Sequence, residues 1–169
     1  MNVCLKINGD LLDQVRADLH RPHPFAHERV GFLIAAAASD GQGGIMLLVR
    51  GYQAVADQDY ERHQKVGAQI GSNAMRKAAQ ASYRPPSSLL HIHTHGGCGR
   101  PGFSRIDLDS AVTFVPGFFE TAPRMPHGLL VLSDDSVHGL LWTAADRPGM
   151  PITSFKRISA PIRADWSAS

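Results

Sequence analysis

His91-Ile92-His93-Thr94-His95-Gly96-Gly97-Cys98-Gly99-Arg100-Pro101-Gly102-Phe103-Ser104-Arg105-Ile106-Asp107 is the stretch from which the rest of the chain can be read. Leu89-Leu90 leads into it as an apolar run, the mark of a buried strand. Side chains of like parity share one face of a strand, so His93 and His95 point one way and Thr94 the other. A Gly/Pro-rich loop then turns the chain, and Ser104-x-x-Asp107 opens a helix-like segment. Two imidazoles on one face and a carboxylate brought back by a turn give three nitrogen and oxygen donors. That is the set a catalytic zinc uses when water holds its fourth position. A lone strand histidine is more often a hydrogen-bonded core or surface residue than a ligand. Two at i and i+2, with a serine and an aspartate just past a glycine loop, form a combination that packing does not require.

The pattern His-Thr-His, loop, Ser-x-x-Asp resembles the JAMM (MPN+, Mov34/PAD-1) zinc metallopeptidases. Their signature is an upstream Glu, then His-Ser/Thr-His, usually seven residues, then Ser-x-x-Asp. Here Glu28 stands upstream in Glu28-Arg29-Val30-Gly31-Phe32-Leu33, which is similar to the family's Glu-x-x-Gly-x-Leu strand start. The loop Gly96 to Phe103 is one residue longer than usual, a change that glycine absorbs because it accepts positive φ. By order of elements the resemblance covers roughly residues 1 to 145.

The resemblance implies an α/β fold: a single-domain MPN/JAMM, cytidine-deaminase-like α-β-α sandwich around a central mixed sheet. That domain is expected over 1–160, with 161–169 as a loose C-terminal tail. It implies one Zn2+ per chain held by His93, His95 and Asp107, with water in the open position. Glu28 would be the general base and Ser104 would stabilise the oxyanion. His91 shares the parity of His93 and His95, but pairing it with His93 would put Ser104-x-x-Asp107 three residues beyond the family loop length. His91 is instead expected deeper on the strand, as a supporting donor or packed polar residue. Cys98 as a fourth ligand would close the site and suit structural zinc. Asp109 rivals Asp107, but the Ser-x-x-Asp spacing favours Asp107 and Asp109 lies well round a helix from it.

Composition bounds this reading. The chain has 169 residues, enough for one domain with a real core. A net charge of +2 is too small to argue for nucleic acid. Two cysteines make no disulfide framework. The sequence has neither an apolar run of membrane-spanning length nor a basic-then-apolar start, so the cytoplasm is the expected location and no membrane partner is expected.

In chain order, Val3 to Ile7 reads as an edge strand, and Asp10 as the cap of a helix carrying Leu11, Leu12, Val15 and Leu19. Proline at Pro22 and Pro24 ends that helix. Phe25 to Ala38 reads as a buried strand. Asp40 to Gly44 is a hairpin turn, and Ile45 to Val49 is the partner strand. On its own, Glu28 at such a strand start would be a surface carboxylate paired with Arg29. Tyr60 to Tyr83 reads as a helix with Val66, Ile70, Ala74 and Ala78 on one face and His63 structural or exposed. Ser87 to His95 is the central strand. Ser104 to Phe114 reads as a helix capped by Ser104 and carrying Ile106, Val112 and Phe114. Pro116 to Pro126 reads as a loop whose Phe118-Phe119 either lines a groove or, more commonly for such pairs, plugs the core edge. Gly128 to Leu132 and Val137 to Thr143 form a hairpin, and Ile152 to Ile158 is a last strand.

The implied reaction is hydrolysis of an amide, the isopeptide bond between a ubiquitin-like C-terminus and a lysine, or the equivalent bond in a precursor. The resemblance is to bacterial deubiquitinase-like members that accompany ubiquitin-activating and ubiquitin-conjugating enzyme homologues, some of them in antiphage defence. The expected partner is a ubiquitin-like protein and its conjugates. Three rivals stand beside this: a metallopeptidase trimming sulfur-carrier proteins or small peptides, a non-catalytic MPN-type scaffold, and a metal-dependent nuclease. The last lacks a Lys/Arg-lined stretch around the motif. The scaffold reading would need missing ligands, and here all five positions are filled.

Overall fold

β6 (Ser88–Thr94) runs through the middle of the molecule, and six of its seven residues are buried. The computed structural model describes residues 1–22, 27–61, 67–159 and 166–167. In chain order the other elements are β1 (Val3–Asn8), α1 (Gly9–Leu19), β2 (Val30–Ser39), β3 (Ile45–Ala54), β4 (Tyr60–Glu61), β5 (Gln69–Ile70), α2 (Ser72–Tyr83), α3 (Arg105–Thr121), β7 (His127–Leu132), β8 (Val137–Trp142), β9 (Met150–Pro151), β10 (Ser154–Ile158) and β11 (Trp166–Ser167). Nine strands form one mixed sheet in the order β11-β10-β1-β3-β2-β6-β7-β8-β9, and β4 and β5 pair separately. β6 is antiparallel to β2 and parallel to β7. The protein is a mixed α/β domain.

Parity divides the sheet. Leu90 and Ile92 join Leu5, Leu47, Leu130 and Leu132 in the larger core, against Leu12, Val15 and Leu19 of α1. Leu89 and Phe32 face the other way, toward Ala74 and Ala78 of α2 and Phe118 of α3. The sheet curls around the larger core until its ends approach. Ile152 N–H donates to Gly139 O and Thr153 N–H to Val3 O, each at 2.9 Å. A Cβ on Gly139 would lie 2.8 Å from Ile152 Cδ1 and 3.1 Å from Phe155 Cζ, so glycine permits that close approach.

Several expectations change. β1 is not an edge strand, because β10 pairs beside it from about the far end of the chain. Asn8, not Asp10, caps α1, accepting from the Asp10 N–H at 2.8 Å. The helix expected over 60–83 begins only at Ser72, and Tyr60–Glu61 and Gln69–Ile70 are strands instead. His63 and Val66 lie outside the described residues, as do Phe25 and Ala26 at the start of the expected strand.

α3 runs on through Pro116 to Thr121, where a loop was expected. Its buried face is Ala111, Val115, Phe118 and Phe119, while Ile106 and Val112 are exposed. Phe118-Phe119 therefore packs into the core. Trp166–Ser167 pairs antiparallel with β10, and the rest of 160–169 lies outside the described residues. Among the described residues, no helix is long and apolar enough to cross a membrane.

Candidate metal centre

Strand register assembles the site. β2 pairs with β6 so that Val30 stands opposite His93 and Phe32 opposite His91. Directly opposed residues share a face, and continuing the register two residues sets Glu28 opposite His95. The contact follows: Glu28 Oε1 lies 3.8 Å from His95 Nε2. Glu28, His93 and His95 bring three potential ligand atoms within 4.8 Å of one another. Arg29 does not neutralise Glu28. It is buried and turned away, donating to Asp57 at 2.7 Å and to the carbonyls of Arg21 and Pro22.

α3 supplies the second carboxylate. Ser104 is its N-cap, and Ser104 and Asp107 form a capping box. This holds the Asp107 carboxylate with Oδ1 3.4 Å from His93 Nε2 and Oδ2 3.5 Å from His95 Nε2. The two Nε2 atoms are 3.2 Å apart. A tetrahedral site with nitrogen and oxygen ligands about 2.0–2.1 Å from zinc has ligand–ligand edges of about 3.3 Å. The His93–His95 separation and the approach of Asp107 to each imidazole lie close to that value, with one carboxylate oxygen facing each ring. Glu28 stands slightly further off, 3.8 Å from His95 Nε2. The donor set therefore fits a zinc-sized ion.

The electrostatics favour a charged Asp107. Burial pushes its carboxyl up, but the hydrogen bond and charge of His93, with the Ser104 contacts, outweigh this and hold it well below the usual carboxylate range. His91 sits two residues deeper, its ring centroid 5.0 Å from that of Phe114 and 5.5 Å from that of Phe32. Burial, with the neighbouring His93, pushes its imidazole down to about 3, so it is neutral. The Nδ1 atoms of His91 and His93 are both buried without a hydrogen-bond partner. Among the described residues, ring contacts with Phe32 and Phe114 set the His91 imidazole.

A cleft of about 930 Å³ opens over the site. Glu28, His93, His95, Ser104 and Asp107 all line it, and it extends past His91 between α3 and the β5–α2 segment. Cys98 is exposed and stands outside the cluster of ligand atoms. Asp109 is also solvent-facing, beside Arg105 at 3.6 Å. The long loop is pinned to the β7–β8 turn. Gly99 N–H donates to Asp135 at 2.7 Å, and Asp134 N–H donates to Gly97 O at 2.7 Å. The expected helix over 60–83 concealed Gly67, Gln69 and Ile70, which line the cleft. Their sequence signal was a pair of glycines, Gly67 and Gly71, inside a supposed helix.

No family model matches the chain, and no curated protein matches it. Among solved structures, the Trichoplax adhaerens STIL N-terminal domain is similar over 81% of this chain at 7% identity, with a TM-score of 0.41. The alignment spans 41% of that chain.

Proposed function

We propose that the protein is a zinc-dependent peptidase of the JAMM (MPN+) type, hydrolysing the amide bond that follows the C-terminus of a ubiquitin-like protein. The observation that carries this reading is the convergence of His93 Nε2, His95 Nε2 and Asp107 with spacings of 3.2 to 3.5 Å, next to a carboxylate and an open cleft. His93, His95 and Asp107 hold the ion. When bound, zinc supplies an acidified water and polarises the scissile carbonyl.

Glu28 then takes a proton from water and delivers it to the leaving amine, as a general base and acid must. Its place at the cleft wall, beside His95 and free of Arg29, suits that shuttle. The Ser104 hydroxyl accepts from the Asp107 N–H and keeps its own proton to donate. That proton is available to the oxyanion of the tetrahedral intermediate. His91, packed near Phe114 and Phe32, lines the cleft beside the site.

β5 has a strand partner on one side among the described residues, and both its residues line the cleft. An extended C-terminal tail is the ligand that adds to such an edge by main-chain hydrogen bonds. Ubiquitin-activating and ubiquitin-conjugating enzyme homologues would be the partners that build its substrates.

The test pairs metal content with cleavage. Wild type and Glu28→Ala are purified, zinc per chain is measured, and each is incubated with ubiquitin fused through its C-terminus to a second folded domain. One zinc in both, with cleavage slowed by about 100-fold or more in the variant, is the expected result. Absence of zinc in both removes the metal assignment and leaves a scaffold. Zinc without cleavage removes this substrate class and leaves the metal site standing.

A further inference from the structure

Gly67 is the residue against which Glu28 lies. Its carbonyl accepts the N–H of His27 at 2.8 Å and the N–H of Glu28 at 3.0 Å. One carbonyl taking two successive donors fixes the backbone from which the Glu28 side chain departs. The side chain then folds back over the glycine. A Cβ at position 67 would stand 2.5 Å from Glu28 Oε2, 2.7 Å from Cδ and 3.1 Å from Oε1. Comfortable non-bonded carbon contacts begin about 3.5 Å apart. The space filled by the carboxylate therefore exists because residue 67 has no side chain.

The three atoms nearest to an added Cβ all belong to the far end of the Glu28 side chain. A methyl group at 67 thus meets a part that is able to swing aside, and the fold has little to lose. What moves is the carboxylate beside His95.

We propose that Gly67 is a positioning residue for Glu28, setting where its carboxylate stands relative to His95 both through its carbonyl and through its missing side chain. The kinetic consequence rests on reading Glu28 as the general base. The positional claim does not, and the experiment separates the two.

The first measurement is the crystal structure of metal-free Gly67→Ala beside that of the wild type. The Glu28 carboxylate is expected to move by about 1 Å or more, the distance needed to restore normal contact. An unmoved carboxylate overturns the proposal. The second uses the zinc-loaded enzymes and the ubiquitin fusion. Gly67→Ala is expected to keep one zinc per chain and its unfolding midpoint, while kcat falls about 100-fold at unchanged KM. In a Glu28→Ala background the same change is expected to have no further effect, because its target is gone. An unchanged kcat in Gly67→Ala overturns the kinetic consequence, and an equal loss in both backgrounds overturns the proposal. If the wild type does not cleave, the proposed function fails while the crystal structures still decide the positional claim. If Gly67→Ala does not fold, the Glu28→Ala/Gly67→Ala double variant decides. A folded double variant assigns the clash to Glu28 and supports the proposal, and an unfolded one overturns it.

Discussion

The Ser104 backbone N–H donates to Asp107 Oδ2 at 2.7 Å, and the Asp107 N–H donates back to the Ser104 hydroxyl at 3.1 Å. The two bonds differ in what they support. The first aims the Asp107 carboxylate at His93 and His95, and it belongs to the backbone. The second caps α3, and it belongs to the serine side chain. Ser104→Ala therefore removes the cap and the hydroxyl proposed to meet the oxyanion but keeps the bond that holds the carboxylate. We expect a loss of about 1 kcal/mol in denaturant unfolding. Zinc per chain is expected to stay unchanged, with kcat lowered about 100-fold or more. Loss of zinc in this variant would mean that the side chain, not the backbone, holds Asp107.

Asp107→Asn probes the other half of the pair. The amide keeps the shape and its carbonyl still accepts from Ser104 N–H, so α3 remains capped. The charge that His93 and His95 share is gone. Zinc affinity is expected to fall by at least about 10-fold with little change in the metal-free unfolding midpoint. Competition against a chelator measures the first and denaturant titration the second.

Gly31 shows a different use of glycine. A Cβ there would clash with the phenol end of Tyr52, at its hydroxyl oxygen and Cε2. Tyr52 in turn donates to Asp18 at 2.6 Å, tying β3 to α1. Gly31→Ala is expected to destabilise the metal-free protein by about 1–3 kcal/mol through overpacking. Part of that loss should return in Gly31→Ala/Tyr52→Ala relative to the sum of the single changes. Strict additivity would mean that the ring is not the obstacle.

The site was legible in the sequence to the extent that local rules create it. Strand parity puts His93 and His95 on one face, and Ser-x-x-Asp spacing makes the capping box. The register that sets Glu28 opposite His95 was not legible from spacing, since it depends on which strands become neighbours. Non-local pairing also hid β10 beside β1. Pro116 was misread because proline normally ends a helix. Here its neighbour one turn back, Val112, is 77% exposed. The carbonyl that loses its donor lies on the solvent side of α3, open to water. The late start of α2 has a cause in side chains. Asp59 pairs with Lys77 and accepts from Asn73, both at 2.5 Å. These contacts hold the start of α2 against the preceding segment, and hydrophobic periodicity carries no trace of them.

Arg29 gives a prediction about stability. Its side chain is 2% exposed and bonds to Asp57 and to two carbonyls. Asp57 is itself 47% exposed, so solvent screens much of the ion pair. The two carbonyl contacts of the buried guanidinium contribute the larger part. Arg29→Met keeps apolar bulk and leaves those carbonyls unpartnered. A loss of about 2 kcal/mol in denaturant unfolding is expected. Asp57→Asn should cost clearly less, since the carbonyl bonds survive. Equal losses in the two variants would assign the stability to the ion pair instead.

His127 predicts how stability depends on pH. Its ring is buried between β6 and the end of α3. Nδ1 accepts from the Leu89 N–H at 3.0 Å, and Nε2 stands 3.0 Å from the Ala122 carbonyl. Only the neutral ring with its proton on Nε2 satisfies both. Burial lowers its pKa below the ordinary 6.5, outweighing the raising effect of the Ala122 and Leu89 contacts. The unfolded chain therefore binds the proton more readily than the folded one, and stability must rise with pH between the folded value and 6.5. The contribution is fully present above 6.5 and is lost as pH falls toward the folded pKa. One proton limits the slope to about 1.4 kcal/mol per pH unit. His91 and His138 are shifted the same way by burial, so the wild-type curve alone does not isolate His127. His127→Asn does, because its side-chain oxygen stands in for Nδ1 and does not titrate. The difference in unfolding free energy between wild type and His127→Asn should shrink as pH falls below 6.5. A difference that stays constant from pH 8 to pH 5 would mean that His127 keeps its ordinary pKa in the fold.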